Sequence, residues 1–499
     1  MTMTATPTVS ASAFDTLKSS EEPALVGALR WLLTSTPVFT SVVRLAEFVL
    51  LTVVGLLIAA SYAFAPDASN VEQYLLATVA TAAASSVLMK FLGLYDMPAL
   101  SVPRSALPKV MLAWTGGMVG LVFMLFFMKV GIEFSRVWAA TWYVLGLVSL
   151  IGSRFVIGVL TRTARQNGLL MRTAVIYGSG NAAENLYRAI ATDPMCDIKV
   201  CGLFDDRTGE RVGDNASVPY LGNVDAMLNI SRSSNIDMVI LALPLAAENR
   251  VSQLVKRLWV LPIDIRLSAA ASSLQFRQRN YSYVGRLPML DLSDKPIRDW
   301  GGVQKWLFDK IIASLALVFL APVMALVALA VKLESKGPVL FRQKRYGFNN
   351  ELVEVFKFRS MYTDMADATA AKLVTKDDPR VTRVGRIIRK TSLDELPQLF
   401  NVLTGTLSLV GPRPHAIHAK AADKLYPEVV DGYFARHKVK PGITGWAQIN
   451  GWRGETDTPE KIQKRVEHDI YYIENWSPML DLYILLKTPL ALLKTENAY

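Results

Sequence analysis

Four long apolar runs dominate the first third of the chain, and short polar links separate them. They cover about residues 45–64, 74–95, 110–130 and 137–159. Each run is close to the roughly 20 residues that a helix needs to cross the hydrocarbon core of a bilayer. The pattern predicts a transmembrane bundle of four helices over residues 41–165, with buried soluble helices as the alternative. Arg154 lies near the end of the fourth run, from where its side chain can extend to the lipid headgroups.

The basic residues at the ends of these runs set the predicted orientation. Lys and Arg precede the first run, occupy the second link and follow the fourth run, whereas residues 66–73 of the first link contain neither. Positively charged loops stay in the cytoplasm, so we expect both ends of the bundle there. Lys129 and Arg136 in the third link weaken this pattern without reversing it. Residues 1–40 do not resemble a cleavable signal and are predicted to form a cytoplasmic tail.

A fifth apolar run, about residues 311–331, is flanked by charged residues on both sides. Pro322 lies in its middle, where a proline removes a backbone hydrogen bond and kinks or breaks a helix. A broken helix could enter one leaflet and return to the same face, whereas a kinked helix could cross the bilayer. The pattern alone leaves both arrangements open.

Residues 171–300 alternate between β-rich and helical patterns, which predicts a Rossmann-like α/β domain with a parallel sheet. The expected strands are 173–177, 199–204, 238–243 and 263–267. Gly178 and Gly180, with Ala183 in the third position, resemble a dinucleotide-binding turn. A tight turn without any ligand explains the same glycines, so Gly178 and Gly180 are candidate nucleotide residues only.

Composition narrows the classes of partner. The chain has 499 residues, of which 51% are hydrophobic and 19% are charged, yet its formal net charge is +11. This hydrophobicity excludes intrinsic disorder, and two cysteines cannot cross-link a chain of this length. A basic membrane protein favours anionic partners such as lipid headgroups or nucleotide phosphates.

A marked basic excess lies between residues 336 and 390. In a predicted strand over residues 354–359, Lys357 and Arg359 share one face while phenylalanines occupy the other. A helical pattern with an arginine at every third position beside an apolar stripe follows, and its arginines are Arg383, Arg386 and Arg389. An interfacial helix on anionic lipid and a phosphate-binding surface explain this stripe equally well.

Asp394 and Glu395 form an adjacent pair of acids directly after this basic helix. Ser392 and Glu395 have the spacing of a capping box, and Asp394 could alternatively cap the next helix. An aspartate kept ionised by nearby arginines can act as a nucleophile or bind Mg²⁺. The alternative is that both acids only cap the helix and pair with Arg389 and Lys390, and spacing alone favours this alternative.

Arg413 lies between two prolines, which limits its reach and preorganises its guanidinium for phosphate. Glycine-rich segments with tryptophans follow at residues 440–446 and 451–454, and they suit the close approach of a backbone to a ligand. All four histidines lie in the same third of the chain, but none shows the His-Glu-x-x-His spacing of a zinc site.

These motifs, taken in order, resemble those of the bacterial sugar transferases, the monotopic polyprenyl-phosphate hexose-1-phosphate transferases. The matching segments are residues 357–361, 378–380, 389–398, 411–414 and 440–445. The resemblance covers roughly residues 300–499. The preceding four spans and Rossmann-like domain are similar to the long form of the family, and in particular to the undecaprenyl-phosphate glucose phosphotransferases that begin exopolysaccharide assembly.

The resemblance implies that hexose-1-phosphate moves from a nucleotide sugar, expected to be UDP-glucose, to undecaprenyl phosphate with release of UMP. It implies that Asp394 is the nucleophile and forms a covalent phosphosugar intermediate. It also implies Mg²⁺ as cofactor, held by Asp394 and Glu395. Binding of the phosphates and the nucleotide would fall to four basic residues, Lys357, Arg359, Arg389 and Arg413. Phosphoryl transfer depends mainly on positioning and charge neutralisation, which suits such a set.

The resemblance further implies a re-entrant helix over about residues 306–332, broken near Pro322, and a catalytic domain over residues 301–499. The family's break follows a serine, and Ala321 stands there in this chain. The expected fold is a membrane α-helical bundle, a Rossmann-like domain and a mainly α catalytic domain on the cytoplasmic face of the bacterial inner membrane. Both substrates and membrane lipid are expected partners and nucleic acid is not, while a homodimer is left open.

Two functions of other classes compete with this one. A membrane-anchored nucleotide-sugar dehydratase would bind NAD at residues 178–183, but no tyrosine between residues 172 and 300 has a lysine four residues later. A non-catalytic scaffold that senses nucleotides would keep its function in the variant Asp394→Asn.

Overall fold

The computed structural model divides the chain into two compact units, of which one ends at Arg172 and the other begins at Thr173. The structure describes residues 35–62, 70–129, 134–166, 171–193, 196–207, 218–233, 236–244, 247–268, 282–284, 287–363, 378–415, 420–421, 424–430, 432–454 and 458–493. Most of the predicted tail, residues 1–34, lies outside these ranges.

The first unit is a helical bundle. Its helices are α1 (Thr36–Tyr62), α2 (Val71–Phe91), the short α3 (Met97–Ser101), α4 (Pro103–Phe127) and α5 (Arg136–Gln166). The four long helices are long and apolar enough to cross a bilayer, which confirms four apolar helices at the predicted positions. Two tryptophans of α5 lie at the centre of the bundle, where the indole N–H groups of Trp138 and Trp142 donate to carbonyl oxygens of α1.

Arg154 does not extend toward the headgroups as its position suggested. Its guanidinium lies inside the bundle and donates to Oε2 of Glu47 at 2.9 Å and to the carbonyl oxygen of Leu94 at 2.5 Å. Both charged side chains are almost completely buried. A charge in apolar surroundings requires a partner of opposite sign, and Glu47 supplies it from 107 residues away in the sequence. Local sequence context could not reveal this partner.

The second unit begins with a seven-stranded sheet in the order β3-β2-β1-β4-β5-β7-β6. Its strands are β1 (Arg172–Tyr177), β2 (Ile198–Phe204), β3 (Tyr220–Gly222), β4 (Met238–Leu241), β5 (Asp264–Ser268), β6 (Ser282–Val284) and β7 (Leu287–Ser293). The connecting helices are α6 (Asn181–Thr192), α7 (Val224–Ser233) and α8 (Glu248–Leu258).

Five of these strands form the parallel part of the sheet, and their order 3-2-1-4-5 is that of a Rossmann-type sheet. Strands β6 and β7 extend the edge in antiparallel fashion. All four predicted strands are present. Sequence periodicity could not identify β3 and β6, because each has only three residues.

The rest of the second unit combines short helices with small sheets, and we call residues 299–493 the transferase-like region. Its elements are α9 (Asp299–Glu334), β8 (Leu340–Tyr346), β9 (Leu352–Phe358), α10 (Arg383–Lys390), α11 (Gln398–Thr404), β10 (Ser408–Val410), β11 (Lys420–Ala421), β12 (Lys424–Leu425), α12 (Tyr426–Val429), β13 (Gly442–Thr444), α13 (Trp446–Ile449), α14 (Pro459–Glu474) and α15 (Pro478–Leu493). Three 3₁₀ turns, Phe348–Asn350, Leu393–Glu395 and Tyr433–Lys438, join some of these elements.

The fifth apolar run forms a single helix, α9, of 36 residues. This helix continues through Pro322, which differs from the break expected there, and it exceeds the predicted range 306–332 at both ends. Apolar packing against the transferase-like region occurs on both sides of the proline. Such packing explains how the helix tolerates one missing backbone hydrogen bond.

Helix α9 has two contrasting faces. Before the proline, Ala313 belongs to the same buried cluster as Leu399 and Leu409. After the proline, Val331 belongs to a cluster with Phe358 and Ile388. The opposite face exposes large apolar side chains: Leu307, Ile311, Leu315, Val318, Phe319, Leu326, Leu329 and Leu333. The helix therefore lies along the transferase-like region with one face and presents an apolar surface with the other.

Candidate active site

Asp394 and Glu395 lie on the 3₁₀ turn that joins α10 to α11. The predicted basic helix is confirmed as α10, and Thr382 caps its N-terminus by accepting a hydrogen bond from the backbone N–H of Gly385. The apolar stripe of α10 packs through Val384 and Ile388 into the cluster beneath α9. The acidic pair is therefore fixed between two helices and directly beneath the long apolar helix.

Ser392 gives this turn its shape. Its backbone adopts a left-handed conformation with φ of 58°, which ends α10 and redirects the chain. The predicted capping box is wrong, because the Ser392 side chain does not cap the helix. Instead the Ser392 hydroxyl accepts a hydrogen bond from the guanidinium of Arg453. The sequence spacing was correct for a cap, but a tertiary partner competes for the hydroxyl.

Glu395 is the fully paired acid of the two. Its Oε1 accepts a hydrogen bond from Nζ of Lys357 at 2.8 Å. Arg413 donates to both carboxylate oxygens in a bidentate pair, at 2.5 Å to Oε1 and 3.0 Å to Oε2. Burial alone would raise the pKa of Glu395, but Arg413 and Lys357 together hold it well below its ordinary value. Glu395 is therefore an ionised anchor that orients two cations.

Asp394 differs from its neighbour, since it has no hydrogen-bond or ion-pair partner among the described residues. Burial raises the pKa of its carboxyl group above the ordinary value, and the charge of Glu395 adds to this, while Lys357, Arg389 and Arg413 oppose it. A desolvated carboxylate that faces cations and is bonded to none of them is available for nucleophilic attack or for a metal ion.

Two further arginines complete the cationic surroundings, and neither was assigned a role from the sequence. Arg345 donates to the carbonyl oxygen of Pro414 at 2.6 Å, and burial lowers its pKa to about 10, with Arg413 adding to the effect. Arg453 lies in the second glycine-rich segment, and burial together with the positive charge of Arg413 lowers its pKa. The sequence features that could have pointed to them are the position of Arg345 in the basic strand β8 and the position of Arg453 between Trp452 and a glycine.

The backbone around Arg413 is held by glycines that allow chains to approach one another. Strands β10 and β13 pair in parallel next to it. A Cβ on Gly411 would lie 2.5 Å from the carbonyl oxygen of Lys440, and one on Gly445 would lie 2.3 Å from the carbonyl oxygen of Gly411. Gly411 and Gly445 thus serve backbone packing that fixes the loop carrying Arg413, and the approach of a ligand to the two glycine-rich segments stays a prediction.

Further contacts with buried side chains fix the backbone of Arg413. Nη2 of Arg436 donates to the carbonyl oxygen of Arg413 at 2.7 Å and lies 2.7 Å from Oδ2 of Asp469. His415, next in the chain to Pro414, packs in the same buried cluster, where burial and Arg436 lower its pKa well below the ordinary value. His415 is thus a buried packing residue of this cluster, and His418, three residues later, lies outside the described residues.

Arg359 was predicted to bind phosphate, but the structure gives it another role. Its side chain is almost completely buried and donates to the backbone carbonyl oxygens of Val331, Ser335 and Lys336. These groups end α9, and the last carbonyls of a helix lack partners within it. Arg359 therefore satisfies the C-terminus of α9 and lies apart from the cluster around Glu395. Arg359 follows the last residue of β9, Phe358, where strand alternation no longer fixes the direction of the side chain, and phosphate binding by Arg359 stays a prediction.

An apolar cavity of about 300 Å³ adjoins the charged cluster. Ile312, Ala316 and Leu320 of α9 line one side of it, and Leu485, Thr488 and Ala491 of α15 line another. Ser392, Glu395 and Arg453 lie at its polar end. One continuous space therefore joins the apolar helices to the Glu395 carboxylate and to Arg453.

The glycine turn of the Rossmann-type sheet has its own geometry. Gly178 and Gly180 have φ of 117° and 87°, which only glycine adopts readily. The hydroxyl of Ser179 donates to Oδ2 of Asp205 at 2.5 Å, and Arg250 lies 3.4 Å from Oδ1 of the same carboxylate. In dinucleotide-binding sheets, an acid at the end of the second strand contacts the ribose. Asp205 holds that place here and is already bonded within the turn, so a nucleotide at this turn stays a prediction.

In the part of the chain that the structure describes, no three His, Cys, Asp or Glu side chains cluster as a preformed metal site. Mg²⁺ does not need such a cage, because it commonly binds one or two carboxylates and takes its other ligands from water and substrate phosphates. The unpaired carboxylate of Asp394 fits that chemistry. Both oxygens of Glu395 already accept hydrogen bonds, so Glu395 fits it less well.

Comparison with known proteins gives two family matches. Residues 300–495 match the family described as bacterial sugar transferase, and residues 90–269 match the family described as CoA-binding domain. The first match covers the active-site cluster, and the second covers the parallel strands of the sheet together with α3, α4 and α5 of the bundle.

Individual relatives match over most of the chain. A protein of Xanthomonas campestris pv. campestris named UDP-glucose:undecaprenyl-phosphate glucose-1-phosphate transferase is 36% identical, over 77% of this chain and 80% of its own. A protein of the same name from Escherichia coli (strain K12) is 38% identical, over 71% and 74%. The undecaprenyl-phosphate glucose phosphotransferase of Komagataeibacter xylinus is 39% identical, over 78% and 69%.

Proposed function

Because this chain belongs to the bacterial sugar transferase family, we propose that it transfers glucose-1-phosphate from UDP-glucose to undecaprenyl phosphate and releases UMP. The chain is a membrane-bound transferase, with five helices long and apolar enough to cross a bilayer. The observation that carries the proposal is the unpaired carboxylate of Asp394, which faces a cluster of half-buried cations and precedes Glu395, a residue that lines an apolar cavity. This combination suits two substrates that both carry phosphate, one of which is also a lipid.

The proposed reaction proceeds in two displacements at one phosphorus atom. An oxygen of Asp394 attacks the phosphorus that carries glucose, and the bond from that phosphorus to the UMP oxygen breaks, so UMP leaves with the electron pair. A phosphate oxygen of undecaprenyl phosphate then attacks the same phosphorus. The bond to Asp394 breaks and the carboxylate is restored, so neither step requires an acid or a base within the chain.

The cations around Glu395 would neutralise the charge that makes these steps slow. Lys357 and Arg413 are held in place by Glu395 and present their remaining donors to the phosphates. Preorganised donors in a buried site stabilise developing charge more strongly than mobile ones in water. Arg389 lies close enough to Asp394 to affect its pKa and suits the same role.

Mg²⁺ would bind at Asp394 together with the diphosphate of the nucleotide sugar. When bound, it supplies positive charge to the departing UMP oxygens. We do not extend this role to Glu395, since its two oxygens are engaged by Lys357 and Arg413. Removal of Mg²⁺ by a chelator should therefore abolish turnover without unfolding the chain.

We further propose that α9 enters the cytoplasmic leaflet of the inner membrane and does not cross it. The support is that residues near both ends of the helix bond to one region: Lys310 donates to the Val402 carbonyl, and Glu334 accepts from the Val384 N–H. A helix that spanned the bilayer would separate these bonds by the hydrocarbon core, about 30 Å. The apolar face opposite these contacts would then face lipid.

The activity is tested with purified full-length enzyme in nanodiscs, undecaprenyl phosphate and Mg²⁺. UMP release should be fastest with UDP-glucose, and UDP-galactose and UDP-N-acetylgalactosamine are the matched controls. Absence of UMP with every sugar would overturn the proposed function. Faster release with another sugar would retain the reaction and correct the substrate.

The covalent intermediate is tested without the lipid. Enzyme mixed with glucose-labelled UDP-glucose should retain one labelled phosphosugar, and later addition of undecaprenyl phosphate should release it. Label that is retained equally by Asp394→Asn would contradict Asp394 as the nucleophile.

The topology of α9 is tested in cells with a membrane-impermeant thiol reagent. Cys196 and Cys201 are replaced first, and single cysteines are then introduced as Glu351→Cys and Asn70→Cys. Asn70 lies in the link predicted to face the periplasm, so it should react from outside, whereas Glu351 should not. Reaction of both would show that α9 crosses the membrane.

A further inference from the structure

A second cavity lies away from the active site, where the sheet meets the transferase-like region. It has a volume of about 370 Å³. The sheet side contributes Trp259 and the segment that leads into α9, including Lys295 and Arg298. The transferase-like side contributes Lys438 from the 3₁₀ turn Tyr433–Lys438, together with Glu474 of α14. Junctions of this kind, with a volume of some 300–1,000 Å³, are where small ligands commonly bind.

Lys438 is the unusual residue of this cavity. It is 7% exposed, and its Nζ lies 4.5 Å from the centre of the Trp259 ring. Among the described residues it has no hydrogen bond or ion pair, and burial lowers its pKa to about 8, with Glu474 opposing this at longer range. A buried ammonium group gains little from an aromatic face compared with the hydration it has lost, so a bonded anion would stabilise it.

The other cations of the cavity are already neutralised. Lys295 lies 3.0 Å from Asp237, and Arg298 lies 2.9 Å from Asp294. Their partners are side chains at least one-third exposed, so these pairs are weak and can reorganise around a ligand. Of the described cations that line this cavity, Lys438 is thus the one without an ion-pair partner, and Lys295 and Arg298 add two further donors.

We propose that this junction cavity is a second binding site, which takes a small phosphate- or carboxylate-bearing molecule on Lys438. Glu474 also lines the cavity, and its negative charge disfavours ligands whose acidic group lies next to it. The site goes beyond the proposed transfer reaction, because none of these residues touches the cluster around Glu395.

The turn that carries Lys438 joins this cavity to the active site. Arg436, two residues earlier, holds the carbonyl oxygen of Arg413. The Rossmann-like domain contacts the same turn at two points, since Arg232 of α7 lies over the ring of Phe434 at 5.3 Å and Nζ of Lys438 lies over the ring of Trp259. An anion that draws Lys438 away from Trp259 would break one of these two contacts. The turn could then shift, and Arg436 would shift Arg413 with it. The expected effect is inhibition that UDP-glucose does not relieve.

Binding is tested by the reactivity of Lys438 in the full-length enzyme in nanodiscs. The enzyme is acetylated briefly with and without inorganic phosphate, malonate or glucose 1-phosphate, and each lysine is quantified by mass spectrometry. At about ten times its Kd, a bound probe should slow acetylation of Lys438 about tenfold. Lys464, which is exposed on α14, is the internal control and should not change.

Three outcomes decide the matter. Protection of Lys438 that persists in Asp394→Asn supports a site separate from the active site. Protection that disappears in Asp394→Asn arises from the active site and overturns the proposal, as does the absence of protection by all three probes. The arms with phosphate and malonate separate phosphate recognition from carboxylate recognition.

The variant Lys438→Met retains the length of the side chain and removes its charge, and Lys464→Met is its control. A protecting probe should raise the thermal midpoint of the wild type and of Lys464→Met, but not of Lys438→Met. The same probe should inhibit UMP release in the first two proteins only. This last arm rests on the proposed function, whereas protection is measured without substrates, so failure of either idea can be told from failure of the other.

Discussion

Among the described residues, each unit contains an arginine–glutamate pair, fully buried in the bundle and half-buried in the transferase-like region, and the two pairs differ in what surrounds them. In the bundle, Arg154 is paired with Glu47 and also donates to a backbone carbonyl. In the transferase-like region, Glu395 is shared by Arg413 and Lys357, and Arg345, Arg389 and Arg453 lie nearby. The first pair is balanced within the protein, whereas the second leaves a surplus of positive charge.

This difference separates a structural ion pair from a site prepared for a substrate. A balanced buried pair joins two helices, here α1 and α5, and has nothing left to bind. A surplus of desolvated cations is unfavourable without a ligand and becomes favourable when phosphates arrive. The unpaired carboxylate of Asp394 within that surplus marks the position at which chemistry is expected.

The largest effect is expected from Asp394→Asn, which preserves the shape of the side chain and removes the nucleophile. UMP release should fall by at least about 10⁴-fold, as when the nucleophile of other enzymes is removed. Glu467→Gln, in an exposed ion pair on α14, is the matched control and should retain full activity. A loss of less than tenfold in Asp394→Asn would favour the scaffold hypothesis.

The next effect concerns the balanced pair. Arg154→Met leaves Glu47 buried without its partner, and we expect the free energy of unfolding to fall by about 3–5 kcal/mol. Denaturant titration in detergent measures this change. The double variant with Glu47→Gln should recover most of the loss, and failure to recover would show that the arginine acts through its backbone contact instead.

A smaller effect is expected from Arg413→Lys, which keeps the charge but loses the bidentate pair with Glu395. We expect kcat/KM to fall about 10–100-fold, which is the scale of one or two charge-assisted hydrogen bonds. Thermal stability should change little by comparison. Equal activity of the lysine variant would mean that charge alone, and not the fixed orientation, matters at this position.

The smallest effect is a shift in pH dependence. Attack requires ionised Asp394, so kcat should decrease as the pH falls through its pKa, which lies above that of an ordinary aspartate. Glu395→Gln removes the neighbouring negative charge and leaves the cations, which lowers that pKa. The acid limb of the kcat–pH profile should therefore move to lower pH in this variant, although its kcat is reduced. If the acid limb stayed at the same pH, the ionisation of a group other than Asp394 would cause it.

Much of the architecture is predictable from periodicity and length. The four spans, the four principal strands and the basic helix α10 are long or strongly patterned, so local sequence determines them. The short strands β3 and β6 and the continuity of α9 through Pro322 were not predictable. They depend on neighbours distant in the sequence that pair with the strands or pack against the helix.

The sequence predicted the chemistry of the site better than it predicted which residues form it. The motif identified Asp394, Glu395, Lys357 and Arg413, which the structure brings together around one carboxylate pair. Arg359 belonged to the same motif but serves α9, and Arg345 and Arg453 carried no sequence signal strong enough to place them. Side chains of one residue type are distinguished only by the tertiary contacts that each finds.

The end of α9 has a consequence that concerns the bilayer itself. Arg359 holds the last carbonyls of this helix, and Lys357, two residues earlier, holds Glu395. The segment from 357 to 359 thus connects α9, a helix with an apolar outer face, to the Glu395 carboxylate in the active site. Under the proposed placement of α9 in one leaflet, the thickness and lateral tension of that leaflet would affect the geometry of the active site, and turnover would depend on the membrane around the enzyme.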